Sequence, residues 1–185
     1  MRTLSVAIIA IVSTVLAGCV SVTIPQEKSQ VAPLSITSSP LHRFALSDFD
    51  GLLFEAIVPD QADPMFPNRE KAYETIEVEI AKQLSAKMNM NPGQLSQNPL
   101  IVRYAIASGS TVSDAELVGF FGTTPGLVTA PGQEKLTIAV TLIQANTGDA
   151  LWQGVAQGTI VPGLTNETRL ARAEAAIARM LSGLR

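Results

Sequence analysis

The chain of 185 residues contains one cysteine, Cys19, and one histidine, His42. A lone thiol forms no intramolecular disulfide, and one Cys with one His cannot supply the ligand spacing of a zinc or copper site. Neither a metal nor another cofactor is expected. Charged residues make up only 16% of the sequence and aromatic residues 5%. The basic residues are not clustered, which argues against nucleic acid as a partner, because phosphate binding needs grouped Lys and Arg. No glycine-rich phosphate loop is present, and the glycines are scattered as turn residues. Long hydrophobic runs are missing too. The uncharged apolar stretch from Leu4 to Ala17 spans 14 residues, and crossing the hydrocarbon takes about 20.

That short stretch follows a single positive charge, Arg2, and closes on Leu16-Ala17-Gly18-Cys19. A charged start, an apolar core and small residues at the cut are the parts of a secretory signal peptide. The tetrapeptide resembles the lipobox of bacterial lipoproteins, which implies cleavage between Gly18 and Cys19 and acylation of Cys19, palmitate among the acyl groups. Several acyl chains anchor stably where one gives marginal binding, so attachment to a membrane through the N-terminal lipid is expected. Val20 follows the cysteine where aspartate would favour inner-membrane retention. The expected location is therefore the outer membrane, facing the periplasm. Residues 20–40 hold Pro25, Pro33 and Pro40 among Ser, Thr and Gln and read as a flexible spacer.

The expected organisation is a signal peptide at 1–18, lipidated Cys19 with its spacer to residue 40, and one domain over 41–185. Loss of residues 1–18 removes one Arg and no acid and takes the net charge from −3 to −4. Such a body gives no electrostatic attraction to anionic lipid.

Within the domain, His42 to Phe49 and Phe54 to Val58 read as one bent strand or two short ones, with His42 an ordinary surface or strand-edge residue. Residues 59–68 read as a proline-marked loop. Tyr73, Ile76, Ile80, Leu84 and Met88 recur at helical intervals across 69–88, with Asn68 as a plausible cap and Asn91-Pro92-Gly93 as the stop. Leu100, Val102, Tyr104 and Ile106 alternate as one face of a strand, and so do Leu136, Ile138, Val140 and Leu142. A three-residue loop at Asn146-Thr147-Gly148 with a bulge pairs Leu142 with Trp152, Val140 with Gly154 and Ile138 with Ala156. The opposite face pairs Thr141 with Gln153 and Thr137 with Gln157 and suits water. Trp152, Gly154, Ala156 and Gly158 form a small-residue track beneath a last helix over 167–184, capped by Asn166, whose buried face holds Leu170, Ala173, Ile177, Leu181 and Leu184.

The predicted fold is α+β. It has an antiparallel or mixed sheet of about four strands, two helices on one face, and the order β-α-β-β-β-α. Three fragments, Ser47-Asp48-Phe49-Asp50 with Phe54-Glu55-Ala56, Asn98-Pro99-Leu100-Ile101-Val102-Arg103-Tyr104, and Thr147-Gly148-Asp149-Ala150-Leu151-Trp152-Gln153-Gly154, resemble the uncharacterised bacterial lipoprotein family catalogued as domain of unknown function 4136. The resemblance spans about residues 42–184, and the family often has arginine where Gln153 stands. It implies an α+β fold and an envelope location but carries no established activity.

Candidate chemistry is sparse. Asp48 and Asp50, two apart on one side of a strand, read as flanking a turn at Gly51 and would need a cleft that pushes their proton affinities apart to serve as general acid and base, and Ser108-Gly109-Ser110 lacks the strand-to-helix elbow of a hydrolase serine. No catalytic residue is assigned, and a hydrolase is the least favoured class. The segment 113–131 is more informative. Ser113-Asp114-Ala115-Glu116 is a capping box predicting a short helix to Phe121 that ends at Gly122. Leu117, Phe120 and Phe121 either plug the core or form an apolar patch for an envelope protein partner. Arg172 and Arg179, with Arg169, are either a solvated flank of the last helix or a docking edge for an acidic partner. The leading expectation is a non-catalytic protein that binds a partner or supports envelope assembly. The alternative is a binding module for a small or lipidic ligand held between the 113–131 loop and the helices.

Overall fold

The computed structural model describes residues 33–58, 69–90, 95–109 and 113–185, all within one compact unit, Ala32–Arg185. Cys19, Gly18 and the helix caps proposed at Asn68 and Asn91 to Gly93 lie outside the described residues. No helix among the described residues is long and apolar enough to cross a membrane.

The fold is α+β, with five strands rather than about four. In chain order the elements are β1 (Leu34–Pro40), a 3-10 turn (Leu46–Asp48), β2 (Gly51–Ile57), α1 (Arg69–Ser85), β3 (Pro99–Ser108), α2 (Asp114–Phe121), β4 (Lys135–Gln144), β5 (Ala150–Thr159) and α3 (Asn166–Leu181). The sheet order is β1-β5-β4-β3-β2. β2 runs parallel to β3 and the other neighbours are antiparallel.

β1 corrects the spacer. Leu34–Pro40 pairs along its whole length with β5, Leu34 opposite Gly158 and Pro40 opposite Trp152, and Ile36 packs against the core. The Ser, Thr and Pro composition that suggests a linker is tolerated because this is an edge strand, where one side of the ladder and one face need no partner. Conversely, His42 to Phe49 is not a strand. Its amides turn elsewhere: Leu41 and His42 N–H donate to the Leu151 carbonyl, and Leu46 and Phe49 reach the core from the 3-10 turn.

α1 and α3 cover one face. Tyr73, Ile76, Ile80 and Leu84 of α1, with Met88 in the turn beyond it, are buried against Leu100, Val102, Tyr104 and Ile106 of β3. On α3, Ile177 and Leu181 are fully packed and Leu184 joins them just past the helix, but Leu170 is 38% exposed, because it falls in the stretch 167–171 at the start of α3 that is exposed throughout. The α3 cap is Thr165, whose hydroxyl accepts from Thr168 N–H, and not Asn166. At the other end the Lys87 ammonium donates to the Leu181 and Leu184 carbonyls, both at 3.0 Å, a cation at a helix C-terminus where the dipole favours it.

Trp152 is buried opposite Leu142, in the expected register. The turn itself differs. Gln144 N–H bonds Asp149 O, so the loop has four residues, and the register shifts between Leu142 and Ile143 so that Leu151 is the extra residue of a bulge on β5. The extra loop residue and the bulge cancel beyond Trp152. The bulge also lets consecutive side chains, Leu151 and Trp152, enter the same core. A Cβ at Gly154 would strike the Trp152 ring and Met180 of α3, so the small-residue track is real there, whereas Gly158 lies beside β1.

The second face is not left to water. Thr137, Thr141 and Gln157 are all buried. α2 covers this side, seating Leu117 and Phe121 on Ala105, Ala139 and Val155. The helices on one face are therefore two, as expected, with a third on the other.

Candidate interaction surfaces

The 113–131 insertion is fastened to the sheet by polar groups. Ser113 and Glu116 form the predicted reciprocal cap, with Glu116 N–H bonded to Ser113 Oγ and Ser113 N–H to Glu116 Oε2 at 2.8 Å. The Ser113 N–H bond, and after it a bond from the Ser113 hydroxyl to the same carboxylate oxygen at 2.8 Å, hold the Glu116 carboxyl below its ordinary range. α2 stops at Gly122, whose φ of 68° is one that glycine adopts freely. Asp114 pairs with Lys135 of β4 at 2.7 Å and accepts from Gln157 Nε2 at 2.9 Å. The Lys135 bond, helped by Gln157, keeps the Asp114 carboxyl below the usual range. On its other side, Gln157 Oε1 accepts from Leu127 N–H at 2.9 Å. A fully buried amide thus joins both ends of the insertion to β5.

This attachment divides the predicted patch. Leu117 and Phe121 are 2% exposed and belong to the core of the second face, so they are not available surface, whereas Phe120 is 59% exposed. Both outcomes follow from helical phase: residues 117 and 121 are one turn apart and share the inward side. Val118 and Val128 are also exposed. Arg172 and Arg179 lie on α3, across the sheet from α2, so the structure does not bring the two candidate sets together. Arg179 is exposed and Arg172 half-buried with an interaction of its own. A ligand site between the 113–131 loop and helices α1 and α3 does not form, because the sheet separates them.

Asp48 and Asp50 do not act as a pair. Asp50 accepts from Ser96 Oγ and from the N–H groups of Gln97 and Asn98, and these bonds, the Ser96 hydroxyl foremost, hold its carboxyl below the ordinary range. Asn98 in turn donates to Asp48 O and accepts from Asn146 Nδ2. The cluster joins the starts of β2 and β3 to the β4–β5 turn. Gly51 is required beside it, since a Cβ there would land on the Ser96 side chain. Among the described residues no group of three or more His, Cys, Asp or Glu side chains is placed to hold a metal ion.

Sequence reasoning missed a groove of about 470 Å³ between the segment after β1 and the end of α3. Trp152, Met180, Phe44 and Leu184 supply its apolar wall, and His42, Arg43 and Arg185 stand at its rim. Its residues come from three distant parts of the chain, and only the adjacency of His42, Arg43 and Phe44 leaves a local trace.

No family model matches the chain, and no curated protein does. Among solved structures, a PelC dodecamer from Paraburkholderia phytofirmans is similar at 12% identity and a TM-score of 0.47, covering 83% of this chain and 99% of that one. A PDZ domain protein from Parabacteroides distasonis follows at 12% identity and 0.40, covering 81% of this chain and 36% of its own. A Caulobacter crescentus chain described as a candidate lipoprotein is similar at 12% identity and 0.32, covering 74% and 84%. None reaches a TM-score of 0.5, and none assigns a function to this chain.

Proposed function

We propose that this protein is a non-catalytic, lipid-anchored protein of the bacterial cell envelope, held through acylated Cys19 in the outer membrane with its body in the periplasm, and that it binds a protein partner through the outer side of α2. The anchor rests on Leu16-Ala17-Gly18-Cys19 and on the resemblance to domain of unknown function 4136 in the segments around Asp50, Asn98 and Trp152. One observation carries the binding reading. Phe120 projects outward from a helix whose other aromatic, Phe121, is buried and whose N-terminus is fixed by Asp114, Lys135 and Gln157. Phe is enriched at the cores of interfaces, and an element already ordered by the fold loses less entropy on binding. Asp50 has its oxygens taken by Ser96, Gln97 and Asn98, which speaks against an acid–base role for that carboxylate.

The test places a photo-crosslinking residue at position 120 or, as a control on the opposite face, at Glu167. A discrete adduct from position 120 in intact envelopes, absent from position 167 and lost on Val118→Ser without a change in melting, supports the interface. Equal adducts from both positions, or none from 120, overturn it. For the anchor, Cys19→Ser should move the protein out of the membrane fraction, and a wild-type chain lacking an acylated Cys19 would remove that part of the proposal.

A further inference from the structure

The groove between β1 and α3 combines an apolar wall with a basic rim. Its wall is apolar, formed by the indole of Trp152 with Met180 and Phe44. Its rim carries His42, Arg43 and Arg185, and among the described residues no acidic side chain lines it. All three rim side chains are exposed, and neither guanidinium is in an ion pair among the described residues, where the ion pairs are Lys82 with Glu79, Arg103 with Glu55 and Lys135 with Asp114. The backbone oxygen of Arg185 is held by Leu46 N–H at 2.8 Å. Even with a terminal carboxylate at that residue, two guanidiniums leave the rim positive. A volume of about 470 Å³ suits a small molecule, as sites of about 300–1,000 Å³ do.

We infer that this groove binds an anionic amphiphile, a molecule with a phosphate or carboxylate head and a single apolar chain. The head bonds the Arg43 and Arg185 guanidiniums, whose planar forks match such anions bidentately, and the chain lies along Trp152 and Met180. This site is on the opposite side of the sheet from α2 and stands independently of the partner surface proposed above.

Trp152 is the only tryptophan of the chain, so its fluorescence reports the groove directly. The full chain bearing Cys19→Ser, which has no acyl group of its own to compete, is titrated with dodecyl phosphate below its micelle concentration, with inorganic phosphate, and with dodecanol. A saturable change with dodecyl phosphate, absent or about tenfold weaker with the other two, is the expected result. Arg43→Glu should weaken binding by about tenfold or more at unchanged melting. Gly183→Leu, at a groove position where an added Cβ meets nothing within 4 Å, should block it by filling the space. Vesicles of phosphatidylglycerol against phosphatidylcholine then separate the two sources of this chemistry: an Arg43-dependent change with the former identifies a bilayer headgroup, and a change only with dissolved dodecyl phosphate identifies a free amphiphile. No saturable change with dodecyl phosphate, equal binding of dodecanol, or indifference to both Arg43→Glu and Gly183→Leu overturns the assignment.

Discussion

Gln157 Nε2 donates to Asp114 Oδ1 at 2.9 Å across the second face of the sheet, from a side chain with no exposed surface. With the Asp114–Lys135 pair and the packing of Leu117 and Phe121, that bond holds the capped helix of the insertion on the sheet. The other end of the same amide takes Leu127 N–H, so both of its polar atoms are satisfied, as burial requires.

Gln157→Ala leaves Leu127 N–H without its acceptor and Asp114 without one of its donors. An unsatisfied buried group costs about 1–3 kcal/mol. The expected loss in urea unfolding lies in that range, with amide exchange accelerated first in residues 113–131. A loss confined to α3 instead would show that the amide does not hold the insertion.

Phe121→Ser and Phe120→Ser should separate cleanly. Removing a buried aromatic costs about 3–5 kcal/mol, whereas an exposed substitution away from special features stays within about 0.5 kcal/mol. Comparison of their chemical unfolding midpoints checks this.

Trp152→Ala empties the space over Gly154 and should cost about 3–5 kcal/mol. Gly154→Ala should also destabilise, for the opposite reason: its Cβ meets the Trp152 ring and Met180, and both side chains are packed. A neutral Gly154→Ala would mean that the ring does not lie over that glycine.

Tyr73 Oη donates to Ile57 O at 2.8 Å and accepts from Ile106 N–H at 3.2 Å, carrying the β2–β3 connection past the point where β2 stops. Tyr73→Phe removes both bonds while keeping the ring, and a loss of about 1–3 kcal/mol is expected, read by urea unfolding.

Stability should fall at both ends of the pH scale. The Asp114 carboxyl is held low, first by Lys135, so its contribution is complete above the ordinary carboxylate range near about 4 and is lost as pH falls through its lowered value. Asp114→Asn should flatten that acid limb. Tyr104 is the mirror case. Burial, then its bond to Glu77 at 2.8 Å, raises its phenol, so its contribution is complete below about 10 and is lost as pH rises toward the raised value. Tyr104→Phe should flatten the alkaline limb in unfolding measured across pH.

By itself the sequence determined the elements whose signals are local and periodic: the 3.6-residue face of α1, the alternation of β3 and β4, and the capping box that starts α2 and the glycine that ends it. It also placed Trp152 opposite Leu142, although through a three-residue loop where a four-residue loop and a bulge at Leu151 give the same register. Tertiary structure alone decided the rest. β1 is a strand because β5 offers it a ladder, and no periodicity in a Ser- and Thr-rich segment encodes that offer. Thr137, Thr141 and Gln157 read as a wet face because polarity is a property of the residue, while burial depends on what arrives from elsewhere, here α2. Phe120 and Phe121 are neighbours of identical chemistry, separated only by which side of that helix meets the sheet. The groove joins His42 and Arg43 to Trp152 and Arg185, residues more than a hundred positions apart, and such a site exists only once long-range pairing has brought the chain together.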